Sequence, residues 1–202
     1  MRVLIIRDDW CEGVGLGHVM RCRALAEALV EQDCSVTLRG DVPHPSEELG
    51  RYDVLVIDHY KVLEYGVAHA WLHALPTVVI DDFGKDYPGA ALVIRPIGEH
   101  ALIRRAVRDA KPTSLRCTVG TLDLRTRRDI PPDRLPMDMV KASKVICGAG
   151  LTALEARYLG VPCEYHVLAE NQRRTAEFLD AGGQVDGLGA ARVAKLIMGL
   201  VK

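Results

Sequence analysis

Gly13-Val14-Gly15-Leu16-Gly17-His18-Val19-Met20-Arg21-Cys22 is the stretch whose residue types and spacing can do chemistry. It lies between a short apolar run, Val3-Leu4-Ile5-Ile6, and a segment in which Met20, Leu25, Leu29 and several alanines recur at helical spacing. The glycines therefore sit on a strand-to-helix turn, with His18 at or just inside the helix start. The first amides of a helix lack intrahelical partners, and the aligned peptide dipoles add partial positive charge, so such a turn suits an anion. Glycine lets the backbone approach a ligand because no Cβ intervenes. The same field disfavours a second positive charge. His18 is thus expected as a neutral imidazole able to accept a proton as a general base. A histidine that only caps the helix or packs under the turn produces the same pattern.

The elements that must position these groups follow in order. Val3–Ile6 reads as a strand, the next segment as a helix to about residue 32, and Cys34–Leu38 as a second strand. That is a β-α-β unit, which goes with a parallel sheet covered by helices. Tyr52–Asp58 is a buried strand ending in Asp58-His59-Tyr60, followed by Leu63, Val67, Ala70, Trp71 and Leu72 at helical spacing. Thr77–Ile80 is a strand closed by Asp81-Asp82-Phe83-Gly84, and Leu92–Ile94 is another. Ligands bind at the carboxyl edge of open parallel sheets, so Asp58, His59, Tyr60, Asp81 and Asp82 are candidates to line one cleft with His18. For Asp81 and Asp82 a role as turn residues is the plainer alternative. Pro96–Gly98 reads as a linker. Glu99–Ala110 reads as an amphipathic helix whose Arg104, Arg105 and Arg108 form a wet face. Leu115–Val119 reads as a strand, and 120–136 as a loop carrying Arg125, Arg127 and Arg128. A second strand-turn-helix unit follows, from Val145-Ile146-Cys147 through Gly148-Ala149-Gly150 into a helix over Thr152–Leu159. Gly160 and Pro162 end that helix, Cys163–Val167 is a strand, and helices cover Ala169 to Leu179 and Ala190 to Val201.

The composition narrows the classes. With 202 residues the chain makes one large domain or two small ones, and 49% hydrophobic residues suffice for a core. A net charge of −1 gives no reason to expect nucleic acid or an anionic membrane as partner. The six cysteines form no C-x-x-C pair and read as small buried hydrophobes of a reducing, cytoplasmic setting. No signal peptide and no run of membrane-spanning length is apparent.

Taken together, these motifs resemble a known family. Gly15-Leu16-Gly17-His18-Val19-Met20-Arg21-Cys22-Arg23-Ala24-Leu25-Ala26 resembles the G-x-G-H-x-x-R-C-x-x-L-A signature of the pseudaminic acid pathway UDP-sugar hydrolases, which act on a UDP-activated altropyranose. Those enzymes are relatives of the GT-B nucleotide-sugar glycosyltransferases. Val56-Ile57-Asp58-His59-Tyr60 is similar to the family's strand-D-x-Y segment, and Val79-Ile80-Asp81-Asp82 to its I-D-D. Gly148–Ala156 is similar to its G-x-x-T-x-x-E helix start, Leu159-Gly160-Val161-Pro162 to its L-G-x-P, and Ala169-Glu170-Asn171-Gln172 to its A-x-N-Q.

The resemblance implies an α/β, GT-B-like fold: two Rossmann-like parallel-sheet domains around a cleft, spanning 1–96 and 97–202, the second one shortened. It implies His18 as the catalytic base that activates water at an anomeric carbon, with inversion and release of UDP. Gly15, Gly17, Arg21, Asp58, Tyr60, Asn171 and Gln172 would bind substrate. Gly148, Gly150, Thr152 and Glu155 would bind the nucleotide, Glu155 holding the ribose. Neither a metal nor another cofactor is implied. Only about 40 residues separate Arg95 from Asp138, fewer than a full nucleotide-binding domain requires ahead of its glycine turn. Val119-Gly120-Thr121-Leu122-Asp123 reads as a worn remnant of that domain's first loop. A smaller nucleotide substrate or a homodimer would accommodate the shortening. The functional expectation is a nucleotide-sugar hydrolase of carbohydrate biosynthesis. A small glycosyltransferase of the same architecture and a non-catalytic nucleotide-binding relative remain as alternatives.

Overall fold

The computed structural model describes residues 1–8, 16–40, 49–64, 75–110, 120–124 and 131–201. The chain divides into two compact units, Met1–Pro96 with Ala190–Lys202, and Ile97–Gly189.

In the first unit the strands are β1 (Arg2–Arg7), β2 (Ser35–Arg39), β3 (Val54–Asp58), β4 (Thr77–Ile80) and β5 (Leu92–Ile94). They form one sheet in the order β2-β1-β3-β4-β5, parallel throughout. β1, β3 and β4 are near-continuous apolar runs because both faces of a parallel sheet are covered. Leu4, Ile6, Leu55 and Ile57 pack with Leu49 and Val62 in one buried cluster. Helix α1 (Gly17–Val30) buries Cys22, Leu25 and Leu29 and packs on β1 and β2. The short helix α2 (Tyr60–Glu64) follows β3. The chain passes from β1 to β2 on one side and returns to β3 on the other. The sheet therefore reverses its order between β1 and β3, and the carboxyl ends of those two strands flank the switch point, where open sheets hold ligands. Gly13 to Gly15 and the predicted helical positions from Val67 to Leu72 lie outside the described residues.

The second unit holds the three-stranded parallel sheet β6 (Thr121–Asp123), β7 (Lys144–Gly148) and β8 (Cys163–His166), in that order. Its helices are α3 (Arg105–Asp109), α4 (Leu135–Lys141), α5 (Leu151–Leu159) and α6 (Arg173–Asp180). One core joins Ile103, Val107, Met139, Val145, Leu154, Leu159 and Leu179. Gly160 ends α5 at φ 68°, a left-handed cap that glycine takes without a Cβ penalty.

Three expectations change. The helix over Glu99–Ala110 shrinks to α3, preceded by a single 3₁₀ turn at Gly98–His100. Ala101, Leu102, Ile103 and Arg104 are all buried in succession, which a helix with one wet face does not permit. Residues 121–123, expected in a loop, form β6, with Leu122 alone fully turned inward; the strand expected over Leu115–Val119 lies outside the described residues. The terminal helix α7 (Gly189–Met198) groups from Ala190 onward with the first unit, so 97–202 is not one unit. Its Ala190, Val193, Ala194 and Ile197 stripe is buried. No helix among the described residues is long and apolar enough to cross a membrane.

Candidate active site

The carboxyl edge of the first sheet gathers His18, Arg21, Tyr60 and Asp82 around one aspartate. His18, Arg21 and Cys22 are one and one-turn-apart neighbours on α1, at i, i+3 and i+4, so all three leave the same helix face. That face meets Asp58, the last residue of β3, which is fully buried. Asp58 Oδ1 lies 2.8 Å from His18 Nδ1 and also accepts from Arg21 Nη2. Asp58 Oδ2 accepts from Arg21 Nε at 2.6 Å and from the Cys22 thiol at 3.2 Å. Four donors thus fill the roughly four lone-pair directions that an ionised carboxylate offers. Burial alone would push the Asp58 carboxyl up, but the Arg21 charge and then His18 hold it well below the usual carboxylate range. Burial and the adjacent carboxylate push the Cys22 thiol well up, keeping it a neutral donor.

Arg21 is shared. Its Nη1 and Nη2 donate to Asp82 at 2.7 and 2.9 Å, and Asp82 also accepts the Tyr60 hydroxyl. Burial works against the guanidinium charge, yet Asp58 and Asp82 together raise its pKa well above the ordinary arginine value. This arrangement fixes the histidine tautomer. Arg21 Nη2 also stands 3.1 Å from His18 Nδ1. However, an Nη2 group has two hydrogens, and Asp58 and Asp82 take both. In the neutral ring, Nδ1 is therefore the protonated nitrogen that donates to Asp58, and Nε2 is the one with the lone pair. The His18 ring meets the Tyr60 ring edge-on at 4.5 Å, and His18 is 4% exposed among polar and aromatic partners.

The expected edge cluster splits into those that join this network and those that do not. Asp58, Tyr60 and Asp82 join His18. His59 turns instead to Asp8, whose carboxylate stands 3.2 Å from His59 Nδ1 and accepts the Tyr60 amide at 2.8 Å. Asp81 folds its own loop, accepting from the backbone amides of Phe83, Gly84 and Lys85 and from the Tyr87 hydroxyl. The Arg21 guanidinium donates to two carboxylates and so positions Asp58 and Asp82 around His18. Asp58 is enclosed by its four donors. Gly17 opens α1, and a Cβ there would meet nothing within 4 Å. Gly15 lies outside the described residues. Cys22 is the member absent from the expected site, although its i+4 spacing from His18 signals its face.

In the second unit, Gly148-Ala149-Gly150 turns from β7 into α5. The Gly150 amide closes the turn on the Gly148 carbonyl at 2.8 Å, and the Ala149 amide bonds the His166 carbonyl at 2.8 Å. Gln172 lies over the turn: a Cβ on Gly148 would stand 3.1 Å from Leu168 Cδ1 and 3.3 Å from the Gln172 amide. Gln172 Oε1 is fixed by the Leu168 amide at 2.9 Å, which presents the Nε2 donor. Thr152 and Asn171 are half-buried nearby in sequence, on α5 and on the turn that precedes α6. Glu155 has a different placement from the one expected. It is fully buried, and both its oxygens accept at 2.6 Å from Arg104, whose Nη1 also donates to the Pro132 carbonyl at 2.8 Å. Its carboxylate is paired inside the unit. Arg104, expected on a wet face, is its buried partner. No group of three or more potential metal ligands occurs among the described residues.

These two Rossmann-like units, the second with the shorter sheet, give the chain a GT-B-like α/β fold. Among solved structures it is similar to the crystal structure of MurG from Acinetobacter baumannii, with a TM-score of 0.51 over 98% of this chain and 90% of that one, at 13% sequence identity. No protein-family model matches the chain, and no curated protein matches it.

Proposed function

We propose that the protein is a nucleotide-sugar hydrolase in which His18 is the general base. The observation that carries this reading is the Asp58 contact on Nδ1, which leaves Nε2 as the acceptor. His18 Nε2 takes a proton from a water, and the water oxygen attacks the anomeric carbon. The bond from that carbon to the nucleotide oxygen breaks, and the nucleotide leaves with the electron pair and with inversion. The imidazolium formed in that step is stabilised by the net negative charge of Asp58, Arg21 and Asp82 taken together. Tyr60 holds the ring in place through its edge and through Asp82. In the second unit, the Gly148–Gly150 turn, the first amides of α5 with Thr152, and the Gln172 amide supply neutral donors of the kind that hold phosphate oxygens. Gly15, Gly17 and Asn171 complete the proposed substrate contacts. UDP is the nucleotide to try first, on the strength of the motif resemblance.

A panel of UDP-sugars incubated with wild type and His18→Ala, with nucleotide release followed by chromatography, tests the assignment. Loss of the base lowers kcat by about 10²–10⁴-fold. Equal turnover by both proteins removes His18 from the mechanism. The GT-B-like fold also favours transfer to an acceptor hydroxyl, since that chemistry differs only in the nucleophile. A glycosylated product on adding acceptor alcohols, in place of free sugar, would select that second reading.

A further inference from the structure

The loop after β4 places an open aromatic ring and a cation beside the His18 network. Asp81, only 2% exposed, accepts from the amides of Phe83 at 3.1 Å and Lys85 at 3.0 Å, from that of Gly84, and from the Tyr87 hydroxyl at 3.1 Å. Gly84, at φ 74°, allows the chain to wrap around this carboxylate. The loop is therefore held from inside, and its outer side chains are set in place without ligand. Phe83 meets Tyr60 at 5.1 Å between ring centroids, and Tyr60 meets His18 at 4.5 Å. The Lys85 ammonium stands 5.3 Å from the Phe83 centroid. An aromatic ladder thus runs outward from the imidazole to a ring that is 37% exposed, with a positive charge over it. Neither group is needed for the base, and neither is explained by the core.

We infer that Phe83 and Lys85 form a glycosyl subsite for a pyranose that carries a carboxylate; this rests on the reading of His18 as the hydrolytic base. The C–H face of a pyranose suits an exposed aromatic ring, which offers apolar area at low entropic cost. The ammonium has three donors and no acceptor, so it selects an anionic oxygen over a sugar hydroxyl. Two of the loop's carboxylates are already satisfied: Asp81 is filled by its own loop, and Asp82 by Arg21 and Tyr60. The ring contact holds the ammonium in place beforehand, which reduces the ordering cost on binding.

The test compares UDP-glucuronate with UDP-glucose as substrates for wild type, Lys85→Met, Lys85→Arg and Phe83→Ala. Wild type should favour the uronate in kcat/KM by about two- to fivefold, the size expected of one exposed ion pair. Lys85→Met should abolish that preference, Lys85→Arg should keep it, and Phe83→Ala should raise KM for both substrates. Equal wild-type kcat/KM for the two substrates overturns the subsite. An equal loss on both in Lys85→Met also overturns it, because the lysine would then be reading the diphosphate. If wild type hydrolyses neither compound, the hydrolase reading is what fails. Equilibrium binding of free glucuronate against inorganic diphosphate then decides the subsite. Glucuronate binding lost in Lys85→Met supports it, and no glucuronate binding, or diphosphate binding alone, rejects it.

Discussion

Each unit turns from a central strand into a helix, yet the two turns are built for different work. In the first unit the helix projects side chains: His18, Arg21 and Cys22 converge on the buried Asp58, and Asp82 closes the network from the next strand. In the second unit the turn is backbone and amide, Gly148 to Gly150 under Gln172, while the one carboxylate on the helix, Glu155, is turned inward onto Arg104. Side chains with titratable protons can move them; main-chain amides can only hold. The same local fold thus presents titratable side chains at one edge and amide donors at the other. Two buried arginine–carboxylate pairs result, one beside His18 and one in the interior of the second unit.

Removing a partner from each pair sharpens that difference. Glu155→Ala should have the largest effect on stability, about 3–5 kcal/mol by chemical denaturation, because Arg104 keeps only the Pro132 carbonyl. Replacing both members with apolar residues, Arg104→Met with Glu155→Leu, should recover most of that loss and leave nucleotide-sugar turnover intact. Failure of the double variant to recover activity would show that the pair does more than hold α5.

Asp58→Ala comes next, at about 2–4 kcal/mol, since Arg21 retains Asp82. Here an apolar double replacement should restore folding without restoring turnover. The acid limb of stability belongs to the same residue. The Asp58 pKa is lowered by folding, so its contribution is fully present above the unfolded carboxylate pKa of about 4 and is lost as pH falls below it toward the folded value. Asp58→Asn should flatten the stability curve between about pH 5 and strongly acid conditions. An unchanged curve would place the acid sensitivity elsewhere. Gly148→Ala is the mildest, about 1 kcal/mol, because Leu168 Cδ1 and the Gln172 amide can each give a few tenths of an ångström. Its larger effect should be on nucleotide affinity, read by thermal shift with UDP; equal affinity in both proteins would detach the turn from nucleotide binding.

The strands and the His18 face were legible in the sequence because both are local. Apolar runs bounded by glycine and aspartate mark β1, β3 and β4, and a period of three to four residues aligns His18, Arg21 and Cys22. What the sequence hid is set by distant neighbours. Asp81 and Asp82 are adjacent and chemically identical, yet one folds its own loop and the other reaches Arg21, sixty-one residues away. Arg104 reads as one of three wet arginines until Glu155 is seen fifty-one residues downstream. The helix expected over Glu99–Ala110 exceeds α3 because Ala101, Leu102 and Ile103 are apolar enough for a helix but, with Arg104, are buried in succession as an irregular segment.

The route of the chain has a consequence for synthesis. The polypeptide leaves the first unit after Pro96 and re-enters it only at Ala190. The first unit therefore has its full set of contacts only once residues 190–201 have been made, so the unit encoded first is the one completed last. Replacing the buried Ala190, Val193, Ala194 and Ile197 stripe with charged residues therefore damages the body that holds β1 to β5.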